Sequence, residues 1–435
     1  MGLLALAACM RKGLGADCAV INQRLDNCTA AEIGRRAREF GADVVGLSAM
    51  TTTACLLPDI ISAVRGEAPE AFIVLGGPYV VGEDASSLAE SCADAAVPGE
   101  GELAFEQLLR ARFEGDGDLS SVPGLIWRSR SGDVVVNTGT TPVVADLDTL
   151  PLPAYDLIDL PAYWRHKTSV PMIWRRYATL FTSRGCVFQC IWCHKIFGSR
   201  VRMHSAERVL EEMDFLHHKY GVEDFDIQDD TFNYDEKRVL DICQGLTRRN
   251  RRFKLAIPNG VRGDILSADA IHALADAGLY MCMFALESGS ERIQKWTRKN
   301  LNIPKYLEAC RLMAERRVFI QTACHSHAHT ASFFITTPYP GTPLYAWARE
   351  HCPEKLQGID YALRNSSTMR VNLSEVPDEV LFDYQRKAVK QFFLNPRRLY
   401  RILRDHPQRV ALPAYVPIVG YRMLRSFAAR NAILP

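Results

Sequence analysis

The sequence predicts an α/β protein: two segments in which strands and helices alternate, then a helical tail. Three observations carry this. Short, uninterrupted apolar runs at 43–48, 71–75 and 95–97 are separated by helix-like stretches, the pattern of parallel strands joined by helical crossovers. Strand-then-helix order resumes at Ala178-Thr179-Leu180-Phe181 and repeats to about residue 350. From about Pro353 the alternation gives way to helical patterning. The divisions drawn from this are 1–140 for a first α/β domain, 141–175 for a linker, 176–350 for a (β/α) partial barrel and 351–435 for a C-terminal helical region.

In the first domain, residues 2–13 read as a helix that stops at Gly13, and 18–21 as a short strand. Residues 29–40 read as a helix that Thr29 is suited to cap. The run 43–48, apolar from Val44 to Leu47, reads as a strand buried on both faces. A helix over 54–65 follows, then a strand at 71–75 running into Gly76-Gly77-Pro78. A last strand at 95–97 leads to Gly99-Glu100-Gly101-Glu102 and a helix to about Arg112. This is a doubly wound parallel sheet, whose ligands sit beyond the carboxyl ends of the strands. Ser48, Gly76, Gly77 and Gly99 all fall at such ends. Residues 123–137 read as a β-hairpin turning at Ser131-Gly132. Pro142, Pro151, Pro153, Pro161 and Pro171 then stiffen an extended connector.

With 48% apolar and 23% charged residues, the 435-residue chain is of ordinary globular make-up and long enough for two or three domains. A net charge of +2 gives no global attraction for nucleic acid. Thirteen cysteines, an odd number spread along the chain, point to reduced thiols in the cytoplasm and not to a disulfide framework. Leu6-Ala7-Ala8-Cys9 imitates a lipoprotein cleavage box. No positive segment precedes it and Arg11-Lys12 follow, so a buried or amphipathic helix is expected. No stretch reaches the apolar length of a membrane span.

The most specific stretch runs from Ser183 to His194 and places Cys186, Cys190 and Cys193 at C-x3-C-x2-C. Three thiolates on one short loop can hold three corners of an Fe–S cluster. The missing fourth leaves one iron open, which chemistry at a cluster requires and electron storage does not. The other reading is a structural zinc site. Zinc usually wants four closed ligands, and His194, the available fourth, is adjacent to Cys193, which makes joint chelation awkward. Beyond the loop come a helix at 205–220 and a strand at 224–228 ending in Asp229-Asp230-Thr231-Phe232. A strand at 254–257 precedes Asn259-Gly260-Val261-Arg262, a helix spans 267–277, and a strand at 281–286 precedes Glu287. In βα barrels chemistry collects at the carboxyl ends of the strands. The cysteine loop, Asp229, Asp230, Arg262 and Glu287 fall there. A lone carboxylate in such a place is otherwise a helix cap or a solvated loop residue.

The cysteine spacing, with Trp192 in the aromatic position just before the third cysteine, resembles the signature of the radical S-adenosylmethionine (SAM) superfamily. The first domain resembles the Rossmann-like cobalamin-binding domain of one subgroup, which holds class B methyltransferases and anaerobic magnesium-protoporphyrin ester cyclase-like proteins. Gly46-Leu47-Ser48, Leu75-Gly76-Gly77-Pro78, Gly99-Glu100-Gly101-Glu102 and the linker at 150–156 carry that likeness. The resemblance covers nearly the whole chain. It implies a [4Fe–4S] cluster on Cys186, Cys190 and Cys193, and SAM on the open iron. It places the amino group of SAM near Asp229 and Asp230, its ribose and carboxylate nearer Arg262 and Glu287, and Trp192 at the cofactor. It places cobalamin over Ser48, Gly76, Gly77 and Gly99. The implied activity is cobalamin-dependent methylation of an unactivated carbon by way of a 5′-deoxyadenosyl radical. A small-molecule substrate and an external electron donor of flavodoxin or ferredoxin type go with it. The alternatives are an oxidative or ring-forming enzyme like the porphyrin ester cyclases, and an inactive cofactor-binding remnant. The chain departs from the family in lacking an Asp-x-His-x-x-Gly motif and a counterpart of the family's first strand, which lies mid-sheet.

A third departure follows residues 319–321, where one βα crossover is nearly absent. A parallel crossover needs roughly a dozen residues, so these strands are not expected to join in the ordinary way. Cys324, His325, His327 and His329 crowd the short link, as a metal site or as a solvated remnant. Farther on, Arg397, Arg398, Arg401, Arg404, Arg409, Arg422, Arg425 and Arg430 face a lone Asp405. Leu399, Tyr400, Ile402, Leu403 and residues 415–419 interleave with them. Two readings stand: a helical cap over the barrel mouth, or a basic, apolar surface for an anionic, hydrophobic or membrane-borne substrate, with peripheral membrane contact.

Overall fold

The computed structural model describes residues 1–413, apart from 84, 130, 167, 169, 171, 173, 174, 250–252, 322–325 and 363–370. The chain divides into two units. Unit 1 takes in Met1–Tyr163, Trp192–Arg202 and Pro338–Arg364; unit 2 takes in Trp164–Ile191, Met203–Thr337 and Asn365–Pro435.

In unit 1 the apolar runs become β1 (Val44–Ser48), β2 (Phe72–Gly76) and β3 (Ala95–Ala96), paired in parallel in that order. The hairpin β4 (Ile126–Arg128) and β5 (Val134–Val136) extends the sheet antiparallel from β3. Strand alternation sends Ile73 and Leu75 to one face, against Ile61, Val64 and Leu88 of two helices. Val74 goes to the other face, with Ala104 and Leu108 of helix Gly101–Leu109. Helices therefore cover both faces, as the doubly wound reading requires.

Three local expectations need correction. Residues 18–21 form no strand: Cys18 and Val20 pack instead on Ala7 and Ala8 of helix Gly2–Leu14, together with Ala154. β1 is not buried on both faces, because it lies at the edge of the sheet with Gly46 and Ser48 exposed. The helix expected over 54–65 is Leu57–Glu67, after a 3-10 turn at Thr51–Leu56. Pro58 suits its first turn, where no backbone N–H is needed. Glu100, from the Gly-Glu-Gly-Glu element, is buried in an ion pair with Arg202, at 2.9 Å for the longer of its two bonds. Arg202 also donates to the Val144 carbonyl at 2.7 Å.

Unit 2 is built on five parallel strands in chain order: β6 (Tyr177–Leu180), β7 (Asp224–Ile227), β8 (Lys254–Val261), β9 (Leu279–Phe284) and β10 (Phe319–Gln321). Register aligns Thr179, Asp226, Ala256, Met281 and Phe319 in one row across the sheet. The connecting helices are sharply capped. Ser205, Asp235, Ser267 and Asn302 each accept a backbone N–H of the first turn. Asp226, the one charged residue of this row, belongs to a buried ionic knot. Arg175 reaches Asp224 with two bonds of 2.7 Å and also binds Asp226, and the Tyr280 hydroxyl donates to Asp224 at 3.1 Å.

The short link after β10 makes one parallel bridge, Gln321 to Thr330, instead of a full strand. His329 is not solvated as expected. It is fully buried, stacked 4.7 Å from Phe319. Its Nδ1 accepts the Ile320 N–H at 3.0 Å, so Nε2 carries the proton donated to Asp405 at 3.1 Å. Cys324 and His325 lie outside the described residues; His327 is exposed. The C-terminal region is helical at Asp378–Phe393 and Pro396–Asp405. Arg398 does not belong to its basic surface. It is buried, donating to Ala328, Phe392 and Ser326 carbonyls at 3.1, 2.7 and 3.1 Å, because the helix turns that position inward. Arg397, Leu399, Tyr400 and Leu403 are exposed. Residues 415–419, Arg422, Arg425 and Arg430 lie outside the described residues, and so does Pro171 of the connector. No helix among the described residues is long and apolar enough to cross a membrane.

Candidate active site

Three consecutive residues after β7 hold the approach to the cysteines. Asp229 is fully buried and accepts from the Thr182 N–H and hydroxyl, each at 2.6 Å, and from the Ser183 hydroxyl at 2.7 Å. Burial pushes its carboxyl above the usual range, against the pull of Arg238 and of those donors. Asp230 accepts the Gly185 N–H at 3.0 Å. Thr231 donates its hydroxyl to Cys186 Sγ at 3.2 Å. From the other side, Arg238 donates to the Thr182 carbonyl at 2.8 Å and the His204 carbonyl at 2.6 Å.

β8 braces this frame. Gly260 has φ +77, and a Cβ there would stand 2.0 Å from the Asp229 carbonyl oxygen. Only glycine permits that approach. Asn259 donates to the same carbonyl at 3.2 Å. Sequence reasoning passed over Gly260, whose only local signal is the Asn-Gly turn pair.

Arg262 is committed to the loops around it. It donates to Asp264 at 2.8 Å and to the Lys299 and Asn300 carbonyls at 2.9 and 3.0 Å. Its guanidinium also lies 3.8 Å from the ring centre of Phe188, within the cysteine loop. Glu287 adopts φ +67, and Arg298 and Asn300 adopt +54 and +48. Left-handed backbone at non-glycine residues costs on the order of 1–3 kcal/mol each and persists where the surroundings impose it. Here Arg262 grips the turn, and the Ile191 N–H donates to the Thr297 carbonyl at 3.1 Å. Lys299, which carries no sequence signal, pairs with Glu287 at 3.3 Å. Burial pushes the Cys190 thiol up, and Lys299 draws it back down.

Of the three loop cysteines, Cys186 is half-buried, Cys190 buried and Cys193 exposed. The division between units falls between Ile191 and Trp192, so Cys186 and Cys190 belong to unit 2 and Cys193 to unit 1. Among the described residues no group of three or more His, Cys, Asp or Glu is arranged around a single metal ion. Sulfurs that bind three different irons of a cluster need not converge on one point. His194 packs on Gly82 and lies edge-on to Tyr339 at 6.3 Å, and burial lowers the pKa of its imidazole.

At the carboxyl end of the unit 1 sheet the residues are small: Ser48, Gly76, Gly77 and Gly99. A Cβ added at Gly76 would meet the Val97 carbonyl oxygen at 3.9 Å, and one at Gly99 the Ile196 carbonyl oxygen at 3.8 Å, both ordinary contact distances. Gly77 differs. It has φ +86, and a Cβ would press within 2.8 Å of Ser48 Oγ and 2.9 Å of the Ala49 carbonyl. Such a floor fits a large planar ligand approached by backbone.

A B12 binding domain family model matches residues 1–109, and a radical SAM superfamily model matches residues 180–325. The chain is 28% identical to an uncharacterized methyltransferase of Pyrococcus horikoshii, over 93% of its own length and 90% of that protein. It is 27% identical to the cytidylyl-2-hydroxyethylphosphonate methyltransferase of Streptomyces wedmorensis, over 85% and 71%. It is 23% identical to the anaerobic magnesium-protoporphyrin IX monomethyl ester cyclase of Cereibacter sphaeroides, over 89% and 66%. Among solved structures, the radical S-adenosylmethionine methyltransferase TsrM of Kitasatospora setae superposes with a TM-score of 0.69 at 17% identity, covering 86% of this chain and 76% of that one. That likeness bears on the fold.

Proposed function

We propose, for a chain that belongs to the cobalamin-binding branch of the radical SAM superfamily, a cobalamin-dependent radical SAM methyltransferase acting on an unactivated carbon of a small molecule. One observation carries the reading: a B12 binding domain and a radical SAM region bearing the three-cysteine loop share one chain. The relatives named as methyltransferases support it. When bound, the cluster, SAM and cobalamin supply the radical and the methyl group. The chain's residues bind and orient. Cys186, Cys190 and Cys193 hold three irons, and Asp229 and Asp230 fix the loop that leads to them. Trp192, Arg262 and Glu287 border SAM, and Ser48, Gly76, Gly77 and Gly99 floor the cobalamin. The proposal includes a cytoplasmic location and a one-electron donor of flavodoxin or ferredoxin type. The exposed Arg397, Leu399, Tyr400 and Leu403 support a hydrophobic or anionic substrate and peripheral membrane contact.

The test is anaerobic reconstitution with iron, sulfide and cobalamin, then dithionite and SAM. 5′-Deoxyadenosine is expected without substrate, and S-adenosylhomocysteine once a methyl acceptor is present. 5′-Deoxyadenosine with no S-adenosylhomocysteine across a substrate panel favours the ring-forming reading, which the cyclase relative supports. Absence of both from iron-loaded protein favours the inactive remnant.

Gly77→Val tests the cobalamin floor. The valine must adopt a left-handed backbone and displace Ser48 or Ala49. Cobalamin uptake, read by visible absorbance after gel filtration, is expected to fall at least about tenfold, the equivalent of ~1.4 kcal/mol. Iron uptake is expected to stay the same. Full cobalamin uptake by the variant would remove Gly77 from the site.

A further inference from the structure

Thr231 stands apart from the frame around it. Asp229 and Asp230 take hydrogen bonds from backbone and hydroxyl groups of the loop, whereas Thr231 gives one to a sulfur. The residue is 3% exposed, and its hydroxyl lies 3.2 Å from Cys186 Sγ. Its place is fixed on both sides: Asp229 is tied to Thr182 and Ser183, and Phe232, fully buried, leads into a turn whose Asn233 exchanges bonds with the Arg262 backbone at 2.9 and 3.0 Å. The hydroxyl is thus aimed at the sulfur by a rigid backbone.

We propose that Thr231 is a positioning residue that raises the reduction potential of the cluster held by Cys186, by donating a hydrogen bond to that ligand sulfur. The proposal rests on reading the cysteine loop as a cluster site. In the step concerned, one electron passes from an external one-electron donor to the cluster, which becomes one unit more negative. No bond at Thr231 forms or breaks. Negative charge gathered on the cluster and its sulfurs is stabilised by a donor already in place, so the reduced state gains more than the oxidised one. A buried donor acts more strongly than a solvated one, because no water competes and the local dielectric is low.

The experiment compares reconstituted full-length parent, Thr231→Val and Thr231→Ser. Each is poised against redox mediators at the parent's midpoint, and the reduced cluster is quantified by electron paramagnetic resonance. Thr231→Val keeps the shape and loses the donor. Its ratio of reduced to oxidised cluster is expected to fall about tenfold, ~59 mV for one electron. Thr231→Ser keeps the donor and is expected to stay near the parent. If Thr231→Val takes up no iron, Thr231→Ala, which removes the hydroxyl without adding bulk, is read the same way. Equal ratios in parent and Thr231→Val overturn the proposal. An equal fall in Thr231→Val and Thr231→Ser also overturns it, since packing would then be responsible. A parent that assembles no cluster overturns instead the cluster reading on which the proposal stands.

Discussion

Alanine at Cys186, Cys190 or Cys193 is expected to empty the cluster site and bring 5′-deoxyadenosine formation to background. In the proposed site each thiolate would hold one corner, so removal of one would leave two irons without protein ligands. Iron is expected to fall from about four per chain to a small residue. The loss would not come from unfolding. Cys193 is exposed, and a surface substitution usually changes stability by less than about 0.5 kcal/mol. Cys190 is buried, but its side chain is small, and alanine removes only the sulfur from a loop still tied by the Ile191 bond to Thr297. Cys186→Ala leaves the Thr231 hydroxyl without its sulfur, at about 1–3 kcal/mol. Thermal unfolding of the apo variants, measured beside the apo parent, checks this. Unchanged 5′-deoxyadenosine formation in Cys190→Ala would end the assignment. One zinc per chain and no iron in the parent would return the loop to the structural reading.

Local features of the chain were legible in its sequence, and contacts between distant segments were not. The cysteine spacing, the capping residue Thr29 and the hairpin turn at Ser131-Gly132 depend on neighbours within a few residues. The strand ends that carry Asp229, Asp230, Arg262 and Glu287 were legible for the same reason. Their partners were not. Asp229 is directed to Thr182 and Ser183 because β6 and β7 are adjacent in the sheet, a fact of topology that no local pattern contains. Gly260 looks like an ordinary turn glycine until β8 brings it against the Asp229 carbonyl. Residues 18–21 have the composition of a strand, yet Cys18 and Val20 pack on helix Gly2–Leu14. The arginines of the C-terminal region were counted as one surface, yet Arg398 is buried while Arg397, Leu399 and Tyr400 are exposed. Composition carries no information about helix faces unless the core-facing side is known.

Arg175→Met is expected to be the most destabilising single change in unit 2. Arg175 is the cation of a buried knot with two carboxylates, Asp224 and Asp226, and the hydroxyl of Tyr280. Burial opposes its charge, but the bonds to both aspartates outweigh that and hold its pKa above the ordinary value. One cation cannot match two anions. Asp224 takes the paired 2.7 Å bonds. Burial, together with the charge of Asp224, leaves the Asp226 carboxyl raised despite Arg175. Removing the arginine strands both carboxylates on the sheet, and breaking a buried pair in this way costs about 3–5 kcal/mol. At about 2–4 °C per kcal/mol for a domain of this size, the melting temperature should fall by roughly 6–20 °C. The sign of the pH dependence follows from the raised Asp226 carboxyl. A folded-state pKa above the unfolded value means that the folded chain binds protons more tightly, so stability is lost as pH rises through that folded value. Without Arg175 the Asp226 carboxyl loses its neighbouring cation and moves further up, so the deficit should be largest near pH 8 and shrink toward pH 5. Adding Asp224→Asn and Asp226→Asn to Arg175→Met should recover much of the loss, because no buried charge remains unpaired. A melting temperature within 2 °C of the parent at pH 8, or a deficit that grows on acidification, would show that the knot is not held by its charges.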